Sequence, residues 1–408
     1  MAWANPIKDA SVSTIVAGMI TVLVGHASAL AIVFQGATAA GASTQMLSSW
    51  VLALGIGMGV LNFSLSWFYK VPIIIAWSTP GAALLATSLS GQALSDVIGA
   101  FIFVAVLTII LGVTGWFSAL MKRIPLSIAA AMLAGVLLQF GIEVFAAIVV
   151  EPVLVGGMIA GFLLARRYAG GYAVAVVLFI GVVLSMSLGL FEVDKLSWSL
   201  AEPVWVTPTF DLSVLIGIGL PLFVVTMTAQ NMPGVAVLRT SGYDTPVSGV
   251  ITSTGVAGLL LAPFGGFIFN LAAFSAAICT SSESHPDKSK RYVAGMSSGF
   301  FNVLVGVFGG TLIGLMASFP AVMITTLAGL ALLGVIANGL ATAMIDTTYR
   351  DAALITFLVT ISGVQFFNIA AAFWGILAGM LAMVILPRPV AEVVAAEPTS
   401  KPTSEVKS

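Results

Sequence analysis

Two stretches of this chain combine hydroxyl, small and backbone groups in a pattern suited to holding a small anion. The first, PIIIAWSTPGAALLATS, runs from Pro72 to Ser88; the second, FGGFIFNLAAFSAAICTS, runs from Phe264 to Ser281, at an offset of 195 residues. In each, a β-branched or aromatic run gives way to small and hydroxyl residues and then to a short apolar helical piece. Pro80 can open a helix but cannot sit inside one, so Ser78 or Thr79 is expected to cap a half-helix that includes Gly81. In the second stretch Gly265 and Gly266 break the chain and Phe267–Leu271 reads as extended. A half-helix then begins near Ala273–Ser275, with Phe274, Ser275 and Ala276 at its N-terminus. Free N–H groups and the positive end of a helix dipole together favour negative charge. A proline kink without function is the alternative for one break alone; two breaks at matching places point to a transporter's binding site.

Amides stand close by. Gln230 and Asn231 lie in MTAQNMPGVAVLRTSGY (Met227–Tyr243), next to the Pro233-Gly234 break. A buried amide must find hydrogen-bond partners, which a substrate or another helix can supply. The substrate is the better reading for Gln230, and a helix-to-helix clamp competes evenly for Asn231. Gln35 is the counterpart of Gln230 at the same offset and inherits its argument.

Ionisable groups inside apolar segments are candidates for proton movement. His26 lies near the middle of the first segment, where a proton relay and a satisfied structural histidine compete evenly. Glu143 lies towards the outer end of the fifth segment, where a solvated carboxylate is the simpler reading. Glu283, in the run Ser281-Ser282-Glu283-Ser284-His285-Pro286-Asp287, belongs to a gate, a proton exit or a polar loop. Two histidines and scattered carboxylates show no metal-ligand spacing, and no nucleophile, phosphate-loop or redox motif is present. No enzyme, metal, cofactor or nucleic-acid partner is expected. Cys279, the single cysteine, excludes an internal disulfide framework.

The elements that position these groups are set by composition. Of 408 residues, 59% are hydrophobic and 8% charged, and mean hydropathy is +1.13. Apolar runs of membrane length recur from Ser13 to Leu386, which makes the chain a polytopic membrane protein with the lipid bilayer as its solvent. MAWANPIKDASVS leads straight into a full-length span, so no cleavable signal is expected. Fourteen segments are expected, near 13–34, 45–68, 72–90, 96–121, 125–147, 152–167, 171–190, 211–231, 243–262, 264–281, 291–317, 320–342, 350–367 and 370–386.

With those segments alternating across a bilayer, one side receives Lys8, Lys70, Lys122, Arg123, Arg166, Arg167, Arg239, Lys288, Lys290, Arg291, Arg350, Arg388, Lys401 and Lys407, and the other only Lys195. The positive-inside rule then puts both termini in the cytoplasm. No Lys or Arg falls near the middle of a segment, so anion binding is left to backbone and neutral side chains. Residues 191–210 form the longest outer loop, in which Trp198 and Trp205 read as interfacial anchors. The stretch 387–408 is polar, rich in Pro, Ser and Thr, and expected to be disordered.

The 195-residue offset also relates Gly115 to Gly310 and Pro125 to Pro320, and Leu-Ala-Gly at 133–135 to Leu-Ala-Gly at 327–329 with a slip of one. Seven segments per copy is odd, so the copies must be inverted. The expected fold is all-α, with fourteen transmembrane segments as 7+7 inverted repeats, segments 3 and 10 being broken into a short strand plus a half-helix. Residues 1–190 form the first repeat and 211–386 the second, with the site near mid-membrane between them.

The motifs AWSTPGAALL, TAQNMPG, AAICTSSESHPDK and SGVQFFNIAAAFWGILAGM resemble the benzoate:proton symporter (BenE) family of bacterial inner membranes, over about Ser13 to Leu386. The resemblance implies a relation to uracil permease and the anion exchangers. It also implies a core domain of segments 1–4 and 8–11, a gate domain of segments 5–7 and 12–14, elevator-like movement, and a homodimer through the gate domains. Nucleobase permeases similar to this chain carry carboxylates near Gln230 and at Phe267; neither acid is present here, which suits an anionic aromatic substrate. The expected function is uptake of benzoate or a similar aromatic monocarboxylate with H⁺. Its carboxylate is expected between Ser78–Gly81 and Phe274–Ala276, with Gln35, Gln230 and Asn231 around it and the ring on Phe34, Phe269 and Phe274. An inorganic-anion exchanger or channel-like protein and a nucleobase permease are the alternatives.

Overall fold

The computed structural model describes residues 6–386 apart from 90, 118, 120–124, 169–172, 197, 245, 273, 365 and 367–370; the side chains of 24, 27–29, 195, 240 and 274 are also outside the description. The expected disordered stretch 387–408 therefore lies outside the described residues, as do Ala273, Lys122, Arg123, Arg388, Lys401 and Lys407.

Long apolar runs make helices, and glycine or proline punctuates them. In chain order these are α1 (Val12–Ala39), α2 (Thr44–Tyr69), β1 (Ile75–Trp77), α3 (Thr79–Ser88), α4 (Leu94–Thr114), α5 (Leu126–Ala146), α6 (Pro152–Tyr168) and α7 (Ala173–Ser187). The helix α8 (Leu212–Arg239) contains wide π turns at Leu215–Gly219 and Met227–Asn231. There follow α9 (Val247–Leu261), β2 (Phe269–Leu271), α10 (Phe274–Thr280), α11 (Tyr292–Val307), α12 (Gly309–Ser318), α13 (Ala321–Ile345), α14 (Arg350–Ile361) and α15 (Ala371–Ile385). Among the described residues, six helices are long and apolar enough to cross a bilayer, namely α2, α4, α5, α8, α9 and α13. A seventh arises if α11 and α12, bent by 64° at their junction, count as one span. The molecule is thus a mostly helical, multi-pass membrane protein with two very short strands.

Those strands pair antiparallel, with Ile75 opposite Leu271, Ala76 opposite Asn270 and Trp77 opposite Phe269. Extended backbone inside an apolar protein must find a partner for every N–H and C=O. Here the two breaks satisfy each other: Ala272 N–H donates to the Ile74 carbonyl (2.9 Å) and Ser78 N–H to that of Ile268 (3.2 Å). Outward-facing amides are met by asparagines, Asn62 Oδ1 accepting from Ile75 N–H (2.5 Å) and Asn231 Oδ1 from Leu271 N–H (2.9 Å). Gly265, at φ +88°, makes the turn into β2 against the Trp50 indole, where a Cβ would lie 1.7 Å from the ring; only glycine fits there.

The helices pack in two groups. In the first, α2 lies along α11, α9 along α4, and α1 crosses α3, α10 and α11; in the second, α13 lies along α5, α14 against α5 and α15, and α6 along α7. The groups meet where α13 and α7 pass α1 and where α5 passes α3. Trp50, Phe101 and Phe267 form a buried triangle of rings, with centroids 5.7–6.0 Å apart, behind the strands. The segment 191–210 straps the first group, Val206 N–H donating to Pro263, Thr209 N–H to Ser95 and Ala201 N–H to Val307.

Candidate functional site

A cavity of about 430 Å³ lies where the strands cross, between the two helix groups. Its floor is Ala76, Trp77, Thr79 and Pro80 from the first break and Ala272 and Ser275 from the second. The helix α1 supplies Thr21, Val22 and His26, α8 supplies Gln230, and the facing wall is Ala331, Leu332, Gly334, Val335 and Asn338 of α13, with Val174 of α7 and Arg166 of α6. The end of the cavity marked by Arg166 is called the basic side below.

The start of α3 shows what the first break offers. Ser78 is the N-cap, its Oγ accepting from Gly81 N–H at 3.1 Å, and Ala82 N–H donates to the Ser78 carbonyl at 2.7 Å. Pro80 has no N–H. Thr79 is therefore the residue whose N–H, among those first donors, has no partner among the described residues, and it faces the cavity. Ser78 itself is fully buried and also accepts from the Thr226 hydroxyl at 3.2 Å. Gly81 serves close packing, because a Cβ there would lie 2.7 Å from Leu222 Cδ1 and 2.8 Å from Ser78 Oγ. The anion field of α3 thus comes down to the Thr79 N–H and hydroxyl plus the helix dipole.

His26 is oriented by its own helix. Its Nδ1 lies 2.9 Å from the Val22 carbonyl; a carbonyl can only accept, so Nδ1 carries the proton and the neutral ring keeps its lone pair on Nε2. That Nε2 is buried with no hydrogen-bond partner among the described residues. The ring stands edge-on to Trp77 at 4.6 Å. Gln230 lines the cavity, and its amide has no partner among the described residues.

Its neighbour Asn231 turns the other way. It is fully buried, and its Oδ1 holds β2 through Leu271 N–H while Nδ2 lies 3.4 Å from Met227 Sδ. Ser275 lines the cavity, and Ala276 is buried behind it. The backbone of Phe274 opens α10, and its side chain lies outside the description. Phe269 packs in the core beside Gly57, where a Cβ would lie 2.3 Å from its Cζ, and Phe34 packs half-buried against the main core. Neither phenylalanine lines the cavity. Gln35 donates to Thr325 Oγ1 at 3.4 Å and lines a separate cavity of about 180 Å³ with Thr87, Gln139 and Glu143. Glu143 accepts there from Gln139 Nε2 at 3.2 Å. Glu283 is exposed in the loop after α10. In that loop Arg291 donates to the carbonyls of Thr280 and His285, both at 2.7 Å, which sets a cation at the C-terminus of α10.

Sequence reasoning missed Trp77, Thr21, Asn338 and Arg166 as cavity residues. The signal for Trp77 was its place in the matched break; for Arg166, a helix-end arginine read as a marker of topology, no local signal exists. No Asp or Glu lines the cavity among the described residues. The arrangement offers hydrogen-bond donors, one imidazole and apolar walls without a repelling acid, which suits an anion with an apolar body.

A family model described as benzoate membrane transport protein (BenE) matches residues 8–385. Inner membrane protein YdcO of Escherichia coli (strain K12) is 44% identical over 373 residues, 91% of this chain and 95% of the relative. A benzoate membrane transport protein of Acinetobacter baylyi is 40% identical over 384 residues, 94% of this chain and 98% of the relative. Among solved structures, SLC26A9 aligns with a TM-score of 0.62 at 12% identity, over 91% of this chain and 65% of that one. The transmembrane domain of the cyanobacterial bicarbonate transporter BicA aligns with a TM-score of 0.59 at 14% identity, over 91% and 97%. These two likenesses show a common fold.

Proposed function

This chain belongs to the BenE family, a family of membrane transport proteins and not of enzymes, and from that premise we propose that it takes up benzoate or a similar aromatic monocarboxylate together with a proton. The observation that carries the reading is the acid-free cavity at the strand crossing. Thr79, Gln230 and Ser275 supply neutral donors to a carboxylate, and Trp77, Val22 and the α13 wall supply apolar surface for a ring. Its volume of about 430 Å³ lies within the range of small-molecule sites, roughly 300–1,000 Å³.

His26 is the proton carrier in this reading. Protonation of the buried Nε2 places a positive charge beside the cavity that offsets the carboxylate, so substrate and proton move as a neutral pair. Fourteen segments in 7+7 inverted repeats complete the picture. Support comes from the packing pairs: exchanging the two halves turns α2–α11 into α9–α4, turns α6–α7 into α14–α15, and maps β1–β2 and α5–α13 onto themselves. The first helix group is then the moving core, the second the gate and the homodimer contact, and the basic side the cytoplasmic one, with both termini on it. Movement of the core with its two strands past the gate gives elevator-like alternating access.

The test is uptake of labelled benzoate into proteoliposomes under an imposed pH gradient. Accumulation that follows the gradient supports the reading. Absence of uptake above empty liposomes removes benzoate, and uptake indifferent to the gradient removes the proton. Competition by chloride or sulfate, or by uracil or xanthine, in place of benzoate identifies an anion exchanger or a nucleobase permease.

A further inference from the structure

We propose that Arg166 forms a second carboxylate station at the basic-side mouth of the cavity, which the substrate anion occupies between the strand crossing and the aqueous phase; this rests on the aromatic-carboxylate reading above. Two arginines end α6, and the structure treats them differently. The Arg167 guanidinium lies 5.4 Å from the Tyr168 ring, and Arg167 does not line the cavity. Arg166, whose guanidinium lies 5.7 Å from the Phe162 ring of the same helix, does line it. No carboxylate pairs with Arg166 among the described residues and none lines the cavity, so its charge has no internal counter-ion.

The facing helix leaves room for it. A Cβ built on Gly334 would lie 3.5 Å from Arg166 Nη1, so the guanidinium reaches the α13 backbone at a position with no side chain. One turn further along α13, Asn338 also lines the cavity. A guanidinium, with its planar fork of donors, and a carboxamide on the opposite wall make a fitting pair for one carboxylate. The mouth is exposed to water and hence screened, so this station binds more loosely than the strand crossing. Its effect is to concentrate anions in the vestibule and to hand the carboxylate on, an effect that fades as salt rises.

The test is the association rate of labelled benzoate with the full-length purified protein at about 0.01 M and about 1 M salt, where the screening length is roughly 30 Å and 3 Å. Arg166→Gln is expected to slow association about fivefold or more at low salt, the worth of one charge-assisted contact, and far less at high salt. Arg167→Gln, which removes the same charge from the same helix end, should leave the rate unchanged. Gly334→Val keeps the charge but crowds Nη1, and should slow association as Arg166→Gln does; it carries the test if the arginine variant does not fold. Equal association rates for wild type and Arg166→Gln at low salt overturn the proposal, as does an equal loss in Arg167→Gln or a wild-type rate in Gly334→Val. A wild-type protein that binds no benzoate at either salt overturns the substrate reading and this one with it; normal wild-type binding with unaffected variants overturns only this one.

Discussion

The His26 ring meets the Trp77 indole edge-on, with centroids 4.6 Å apart and planes at 75°. The contact joins a titratable group on α1 to the last residue of β1, so any movement of the strand pair carries the imidazole with it. With Nδ1 tied to the Val22 carbonyl and the ring braced by Trp77, Nε2 remains as the one place where a proton can arrive.

His26→Gln retains a polar side chain and cannot carry a proton through the cycle. The expected outcome is loss of gradient-driven accumulation with benzoate counterflow retained. At one proton per anion, a pH difference of one unit supports about tenfold accumulation, since 1.4 kcal/mol is a factor of ten; the variant should show none of it. Accumulation at the wild-type level in this variant would place the proton elsewhere.

Gln230 and Asn231 are adjacent amides with opposite duties, and substitution separates them. Gln230→Ala removes a cavity donor and should weaken benzoate binding by about tenfold, the scale of one hydrogen bond, with little change in melting temperature. Asn231→Ala leaves the buried Leu271 N–H without its acceptor, which costs about 1–3 kcal/mol and should lower the melting temperature of the purified protein. Equal stability losses in both variants would make Gln230 a structural clamp.

That pair also marks what could be read in the sequence. The breaks at Ser78–Gly81 and Gly265–Gly266, and the strand before each half-helix, were legible because Pro and Gly constrain the backbone locally. Gln230 was legible as a costly amide beside a break. Its neighbour was not separable from it, since a helix turn decides which of two adjacent side chains faces a cavity, and here the wide turn Met227–Asn231 alters that phase. Gln35 shows the limit of repeat logic: its counterpart lines the main cavity, yet Gln35 reaches Thr325 across the group boundary and lines the smaller one. A match at a fixed sequence offset does not give two residues the same neighbours. Arg166 was invisible as a cavity residue because its approach to Gly334 depends on how α6 and α13 lie together.

The loop after α10 contains a pH-dependent element. Asp287 accepts hydrogen bonds from the hydroxyl and the N–H of Ser289, at 2.7 and 2.9 Å, and the hydroxyl bond foremost holds its carboxyl below the ordinary value of 3.8. A depressed folded pKa gives stability that is fully present above the unfolded value and lost as pH falls through the folded one. Amide-exchange protection of Ser289 should therefore hold from neutral pH down to about the ordinary carboxylate value and fall only below it. Asp287→Asn should remove that acid transition, and a variant that keeps it would place the responsible group elsewhere.

Thr79 and Ser78 offer the sharpest separation of ligand from scaffold. Ser78 Oγ caps α3 through Gly81 N–H and is closed off from the cavity, so Ser78→Ala should cost about 1 kcal/mol of stability, typical of a lost N-cap. Its effect on benzoate affinity should be small as long as α3 keeps its place. Thr79→Val keeps the shape and the backbone N–H but removes the hydroxyl of this cavity-lining residue. Binding should weaken by several-fold, the worth of one net hydrogen bond, while the melting temperature stays near wild type. The two variants thus predict opposite patterns on the same two assays. If Thr79→Val bound benzoate normally and Ser78→Ala did not, the anion would lie against the cap itself, deeper than the free Thr79 N–H, and α3 would have to open its first turn to receive it.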